Sequence, residues 1–464
     1  MVAAARVARG LLVLVLPALA ATTFHRQWRW YTHDIGRSAS QLADSGYVVS
    51  GGFQMSANVF GVVLARTDSL GDTTWVRRLV GLDMNGGFSC RLADGGYAVL
   101  AESGAKILVR KYSAAGDSVW EYRSTWGGPI SAFIPTLDGG CLVAGRIPDT
   151  AYAMGAIKLA ADGHEEWARY YYEPSMDESW ARGASQTSDS GYILCGHASS
   201  YASSNLRMVR LTPGGDTVWT KLYRGPLGPE LNDVQELSDS GFLAVGVRFD
   251  TLNQRDALYM IRTTAKGDTV WTHYLAPPYA ASQASAMCAT SDGGFAMVGQ
   301  IDWGDSARAW LIKANAQGDT VWTAILPGWG REVGTDVEQT ADGGYVIAGT
   351  SESAGMPDSL LLIKADSLGH VMAGVADTNL HVTDPVTLSM EPNPAKGVVS
   401  FQFSLPEGAA VDLRMYDALG RKVFSSYGLR ASSFGLRTSS FSPGLYLLRL
   451  ESGEYHATRK LILE

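Results

Sequence analysis

TADGGYVIAGT, from Thr340 to Thr350, decides how this chain is read. Asp-Gly-Gly is a tight-turn sequence, because glycine accepts positive φ without steric cost. It separates two short strands, Val337 to Thr340 and Tyr345 to Gly349, and a third follows at Leu360 to Lys364. The turn recurs. An Asp, a Gly or Ser, a Gly and an aromatic residue begin at Asp44, Asp94, Asp138, Asp189, Asp239, Asp292 and Asp342, with Cys141 once in the aromatic place. Three mostly apolar residues and a glycine come next, at Gly51, Gly145, Gly196, Gly246, Gly299 and Gly349, with Ala101 as the exception. A second anchor, Gly-Asp-Thr/Ser-x-Trp, places Trp75, Trp120, Trp219, Trp271 and Trp322, and Trp167 closes the looser Gly163-His-Glu-Glu-Trp. The seventh copy, Gly369-His-Val-Met, has no Trp.

Four short strands per unit at a period of about 50 residues describe the blade of a β-propeller. The expected fold is therefore all-β, a seven-bladed β-propeller over residues 22–372. The Trp of each unit is a wedge for the widening gap between neighbouring blades, where a large flat ring buries on the order of 200 Å². The seventh unit lacks its Trp strand, while FHRQWRWY (Phe24 to Tyr31) precedes the first turn without a unit of its own. This segment is expected to supply the missing outer strand and so remove an open sheet edge. The third strand of every unit carries one basic residue: Arg66, Lys111, Lys158, Arg210, Arg262, Lys313 and Lys364. Repetition in all units marks these as scaffold, each paired with a turn Asp, rather than as an anion site. Cys90, Cys141, Cys195 and Cys288 sit at apolar repeat positions without CxxC spacing, so neither a disulfide nor a metal site is expected.

The composition agrees with this reading. The chain has 464 residues, 38 basic against 46 acidic, and a formal charge of −8. Only 18% is charged, while 52 residues are Gly and 13 are Trp. An acidic, charge-poor chain is not built to neutralise phosphates, which excludes a nucleic-acid binder. At 46% apolar residues it is not disordered either. Residues 1–20 read as a secretory signal: basic Arg6 and Arg9, the apolar run Leu11 to Leu16, Pro17, then the small-x-small site Ala18-Leu19-Ala20. The run is too short to span a bilayer, and no transmembrane segment is expected elsewhere.

The repeats end near Gly369. Residues 373–390 read as a linker, and a different module occupies 391–464. Strands alternate with turns at Val398 to Ser404, Val411 to Tyr416, Lys422 to Ser425, Leu445 to Leu450 and Thr458 to Leu463, which describes a small Ig-like β-sandwich. PNPAKGVVSFQFSLP, VDLRMYDALGRKV and SPGLYLLRLESGEYHATRKLILE, in that order, resemble the type IX secretion C-terminal sorting domain. They are also similar to the FlgD-type Ig-like domain. The resemblance implies a bacterial protein that engages the type IX secretion machinery, crosses the outer membrane, and is secreted or held at the cell surface. The repeats resemble those of quinoprotein propellers too, but no matching quinone or calcium site is visible, so that likeness bears on architecture alone and no cofactor is expected.

Both repeated turns belong on one face of the ring. The other face collects the segments that vary between repeats, where specificity belongs. Trp126, Tyr171, Trp180, Tyr223, Trp303, Trp329 and Arg331 are the candidate ligand-binding residues there, for a glycan or a protein ligand. Acid pairs nearby, Asp177 with Glu178, Glu230 with Asp233, and Asp302 with Asp305, are the only candidates for acid–base chemistry. The catalytic residues are otherwise unknown. The reading is of a monomeric, exported binding or scaffold propeller; the alternative is a secreted polysaccharide-active hydrolase or lyase.

Overall fold

The computed structural model describes residues 23–29, 33–371 and 388–463, less short stretches between strands, of which the longest is 404–410. The signal segment and most of the expected linker lie outside these residues. Seven four-stranded antiparallel sheets occupy residues 33–82, 84–123, 130–171, 178–224, 230–275, 281–325 and 331–365, the last completed by Phe24–Trp28. The first strand of each sheet is the innermost, and these seven strands surround a central channel. No helix among the described residues is long and apolar enough to cross a membrane.

One unit of chemistry builds every blade. The turn Asp accepts a hydrogen bond from the backbone N–H two residues on, as Asp342 does from Gly344. The basic residue of the third strand pairs with that same Asp: Lys158 with Asp138 at 2.8 Å, Lys313 with Asp292 at 2.9 Å, Lys364 with Asp342 at 3.0 Å, and likewise in the other four sheets. Lys364 also donates to the carbonyl of Ala365. In six sheets the register against the outer strand shifts by one at this residue, and in four of these the cation donates to the carbonyl of the residue that follows. The ring of seven cations is thus neutralised blade by blade. The middle of the turn needs positive φ, which Ser45, Ser190 and Ser240 adopt at 65°, 66° and 62° in place of glycine.

The Trp wedge and the turn aromatic are two halves of one contact. Trp75 meets Tyr97 edge to face, with centroids 6.1 Å apart, and Trp167, Trp219 and Trp322 meet Tyr192, Phe242 and Tyr345 of the next blade in the same way. The indole N–H of Trp120, Trp167 and Trp219 donates to a carbonyl in the third-to-fourth-strand turn of the next blade. That turn carries a glycine at positive φ against the ring. A Cβ on Gly318 would lie 2.4 Å from Trp271.

Phe24–Trp28 pairs antiparallel with the last sheet, Phe24 opposite Lys364. In the other six sheets the residue opposite the third-strand cation is the Trp. Phe24 therefore fills the Trp place of the seventh blade. It packs edge to face on Tyr47 at 5.4 Å and against Gly71 of the first blade. Arg26 reaches Asp72 and the Leu70 carbonyl in the same turn.

A further circuit of hydrogen bonds joins neighbouring inner strands. Gln41, Gln186, Glu236 and Gln339 accept from the backbone N–H of Ala341, Leu137, Ser188 and Ser291 respectively. Asp336 accepts from Ala39 and Asp233 from Met287. Within each inner pairing the register slips once at the corresponding place, so Arg37, Ser131, Arg182, Asn232, Ser285 and Thr335 are extra residues that line the channel.

The C-terminal module has two sheets, one of three strands and one of four, around Val399, Phe401, Leu413, Met415, Leu448, Leu450 and Leu461. Its first strand is Leu388–Glu391, so ordered structure starts inside the segment read as linker; Ser433–Arg437 is a second strand not foreseen. All four cysteines are free thiols, three of them buried.

Phe24 is 3% exposed. Phe24→Ala removes the wedge that joins the two ends of the ring and is expected to cost about 3–5 kcal/mol. Urea unfolding checks this, with Phe24→Trp retaining most of the stability.

Candidate functional site

The variable face holds the second-to-third-strand hairpins and the connections between blades. Among the described residues its aromatic side chains do not gather into one site. Trp126 and Trp329 lie outside the described residues. Tyr171 is buried, and its hydroxyl donates to the Gly215 carbonyl of the next blade at 3.0 Å. Tyr223 does the same to Gly267 at 2.8 Å. Both stand four residues after a wedge Trp and act as struts between blades; neither offers a ring to a ligand. Trp303 is exposed on a hairpin of the sixth blade, where Arg331 of the seventh forms an ion pair with Asp302. Asp305 lies outside the described residues.

Trp180 is the centre of a larger arrangement. Two guanidinium groups stand over its ring, Arg182 at 4.2 Å and Arg146 at 5.0 Å from the centroid. Arg146 also lies 5.1 Å from the Tyr152 ring. The result is a ladder of Tyr152, Arg146, Trp180 and Arg182 from the exposed rim of the third blade to the channel lining. Cation–π contacts hold such a stack without an ion for every rung. Glu178 balances Arg146 at 3.4 Å, and Glu230 balances Arg182 at 3.1 Å. His197 packs beside Trp180, 3.8 Å from Glu230. Burial first, opposed by Glu230 and aided by Arg182, holds the imidazole pKa below its usual value.

Arg207 fixes this arrangement from below. It is 1% exposed, and it donates to the Tyr171 carbonyl at 2.8 Å and to the Ser179 hydroxyl at 2.9 Å. Burial lowers its pKa to about 10. Ser179 N–H donates in turn to the Tyr152 carbonyl, and Asp177 accepts from the Tyr201 N–H. Tyr152 has φ of +44°, an unfavourable conformation for a bulky residue. Arg146, Tyr152, His197 and Arg207 were not singled out in the sequence. The available signal was Arg207, a charge at a repeat position held elsewhere by Val63, Leu108, Gly155, Tyr259, Trp310 and Leu361.

The central channel encloses about 950 Å³. Asp233, Asp336 and Glu338 line it. Burial raises their pKa values, to about 7, 6 and 7, against the opposing backbone hydrogen bonds. Each is committed to structure: Asp233 accepts from Met287 and Val234, Asp336 from Ala39 and Val337, and Glu338 from Gln41. Among the described residues no group of three or more His, Cys, Asp or Glu converges to hold a metal ion.

The ring of sheets and its channel define a β-propeller, followed in the chain by a C-terminal β-sandwich. Residues 389–464, the sandwich, match the secretion system C-terminal sorting domain family. The protein is accordingly secreted by the type IX route, in contact with that machinery, to the cell surface or the extracellular space. The chain matches no curated protein. Its fold is similar to Sqt1 from Chaetomium thermophilum, at 10% identity over 75% of this chain and all of that one, TM-score 0.47. It is similar also to the β-propeller domain of the Trilobed protease from Pyrococcus furiosus, at 10% identity over 72% of this chain and 94% of that one, TM-score 0.42. The WD40 domain of Toxoplasma gondii coronin gives 10% over 75% and 87%, TM-score 0.44.

Two outcomes follow. Between pH 4 and 7 the folded chain holds protons on Asp233, Asp336 and Glu338 that the unfolded chain has released, and these three outweigh the one proton that buried His25, lowered to about 4, does not take up, so stability rises as pH falls through this range. Below about pH 4 the sign reverses, because the hydroxyl of Thr290, Lys313 and the Gly294 N–H hold Asp292 near 2 and other turn carboxylates are lowered too. Urea unfolding across pH 3–8 should show a maximum near pH 4–5, with a flatter neutral limb in Asp233→Asn. Separately, removal of residues 389–464 should leave the protein inside the outer membrane, as read by protease accessibility of intact cells.

Proposed function

We propose that this protein is an exported binding propeller whose ligand engages the variable face, with the C-terminal domain serving delivery. The observation that carries this reading is the aromatic and guanidinium rim around Trp180, built by residues of three blades and held by a buried arginine that no other blade possesses at that position. Rigid Tyr, Trp and Arg are the side chains that dominate recognition surfaces. The carboxylates with raised pKa support binding over catalysis. Each accepts from the backbone N–H of an adjacent blade, so its orientation is fixed by the contact between blades.

The test is a screen of the purified mature protein on arrays of glycans and peptides, with a parallel assay for reducing ends released from polysaccharides. Saturable binding without turnover is expected, weakened at least tenfold when Trp180 and Trp303 are both replaced by Ala. Turnover that disappears in Asp233→Asn or Glu230→Gln would replace this reading with that of a polysaccharide-active hydrolase or lyase.

A further inference from the structure

The ladder on the third to fifth blades has an exposed end. Tyr152, Tyr172 and Tyr201 are 51%, 53% and 105% exposed, and all three are tied through backbone groups to the segment 177–180 that carries Trp180. The Tyr152 carbonyl accepts from Ser179, Tyr201 N–H donates to Asp177, and Arg207 joins the Tyr172 carbonyl to Ser179. Three exposed phenol rings on one hydrogen-bonded frame leave apolar surface in water. The strain at Tyr152 is a second cost at the same place. A third is that the Nε atoms of Arg146 and Arg182, the indole Nε1 of Trp180 and Nδ1 of His197 are buried without a hydrogen-bond partner. Native structures keep few such groups, and a concentration of them marks a place shaped for something other than stability.

We infer that this frame is a binding site for a neutral oligosaccharide, with the tyrosine rings as stacking platforms and Arg146, Glu178, Arg182 and Glu230 as partners for hydroxyl groups. The inference rests on the binding reading above and names its ligand class. Flat aromatic faces accept the C–H face of a pyranose, while hydroxyl groups need donors and acceptors side by side. The paired guanidinium and carboxylate groups supply both. Charge decides the class further. Each arginine of the ladder has its own glutamate, so no net field attracts an anionic sugar, and the chain carries −8 overall. A protein partner fits less well. Protein interfaces place apolar residues at the centre and charges at the rim, whereas here two ion pairs surround the central Trp180 and the exposed tyrosines are peripheral.

The experiment titrates the mature full-length protein with cello-, manno- and xylo-oligosaccharides, with an oligogalacturonide, and with a random peptide library, by calorimetry or biolayer interferometry. Neutral oligosaccharide binding is expected. Tyr152→Gly should weaken it at least tenfold while keeping or raising the melting temperature, because glycine relieves the positive φ. Arg146→Met should weaken it comparably, and Leu368→Ala, in an exposed turn on the opposite face, should leave it unchanged. Neutral-sugar binding that survives Tyr152→Gly and Arg146→Met overturns the site. Binding confined to the oligogalacturonide or to peptides overturns the ligand class and leaves the binding reading standing. Binding of none of these probes overturns both.

Discussion

Seven aromatic rings packed between neighbouring sheets are the contact on which the rest of the structure depends. Six are indoles, and the seventh is Phe24, carried in by the strand that closes the last sheet. Each ring lies across a gap that widens outward, and the turn that receives it must have a glycine at positive φ to let it approach. The Asp–cation pair within each blade serves the same contact from the other side. It fixes the first turn, whose aromatic residue meets the preceding blade's ring edge on. Individually these pairs are partly exposed, and surface ion pairs contribute little. Their effect is to hold geometry, so that burial of the ring pays in full.

Much of this was legible in the residues because repetition separates scaffold from content. The turn Asp, the wedge Trp and the third-strand cation recur at fixed offsets, and a feature found in every unit is tied to what the units share. The closing role of Phe24 to Tyr31 follows from the same logic, one strand missing at one end and one spare at the other. What was hidden is the pairing of parts. Nothing in the order of residues says that the wedge of one blade meets the turn aromatic of the next, or that Phe24, rather than Trp28 or Trp30, takes the Trp register. The annular hydrogen bonds of Gln41, Gln186 and Gln339 were equally hidden, since glutamine at a strand end has many uses.

The candidate site was legible in part for a related reason. Aromatics on variable segments look alike in the sequence, and the structure divides them by register. Tyr171 and Tyr223 continue the wedge strand and serve the blade contact. Trp180 belongs to an inner strand and looks into the rim. Arg182 stands two residues further along the same strand, while Arg146 comes from the preceding blade and joins it only in three dimensions. A charge such as Arg207, standing where the other copies are uncharged, is the sequence trace that such a site leaves.

The closing strand has a consequence for how the chain reaches this state. Arg29 hydrogen-bonds Ser359 across 330 positions of sequence, so the contact that completes the ring is the most non-local in the fold. Blades can form as local meanders soon after their residues are available, whereas the last sheet waits for a strand made first. Non-local pairing of this kind slows folding, because the entropy of loop closure must be met before the contact repays it. The order of events is thus written into the topology: six sheets first, closure last. Without that strand the last sheet has three strands and a free edge, and the Trp place between the last and first blades stands open.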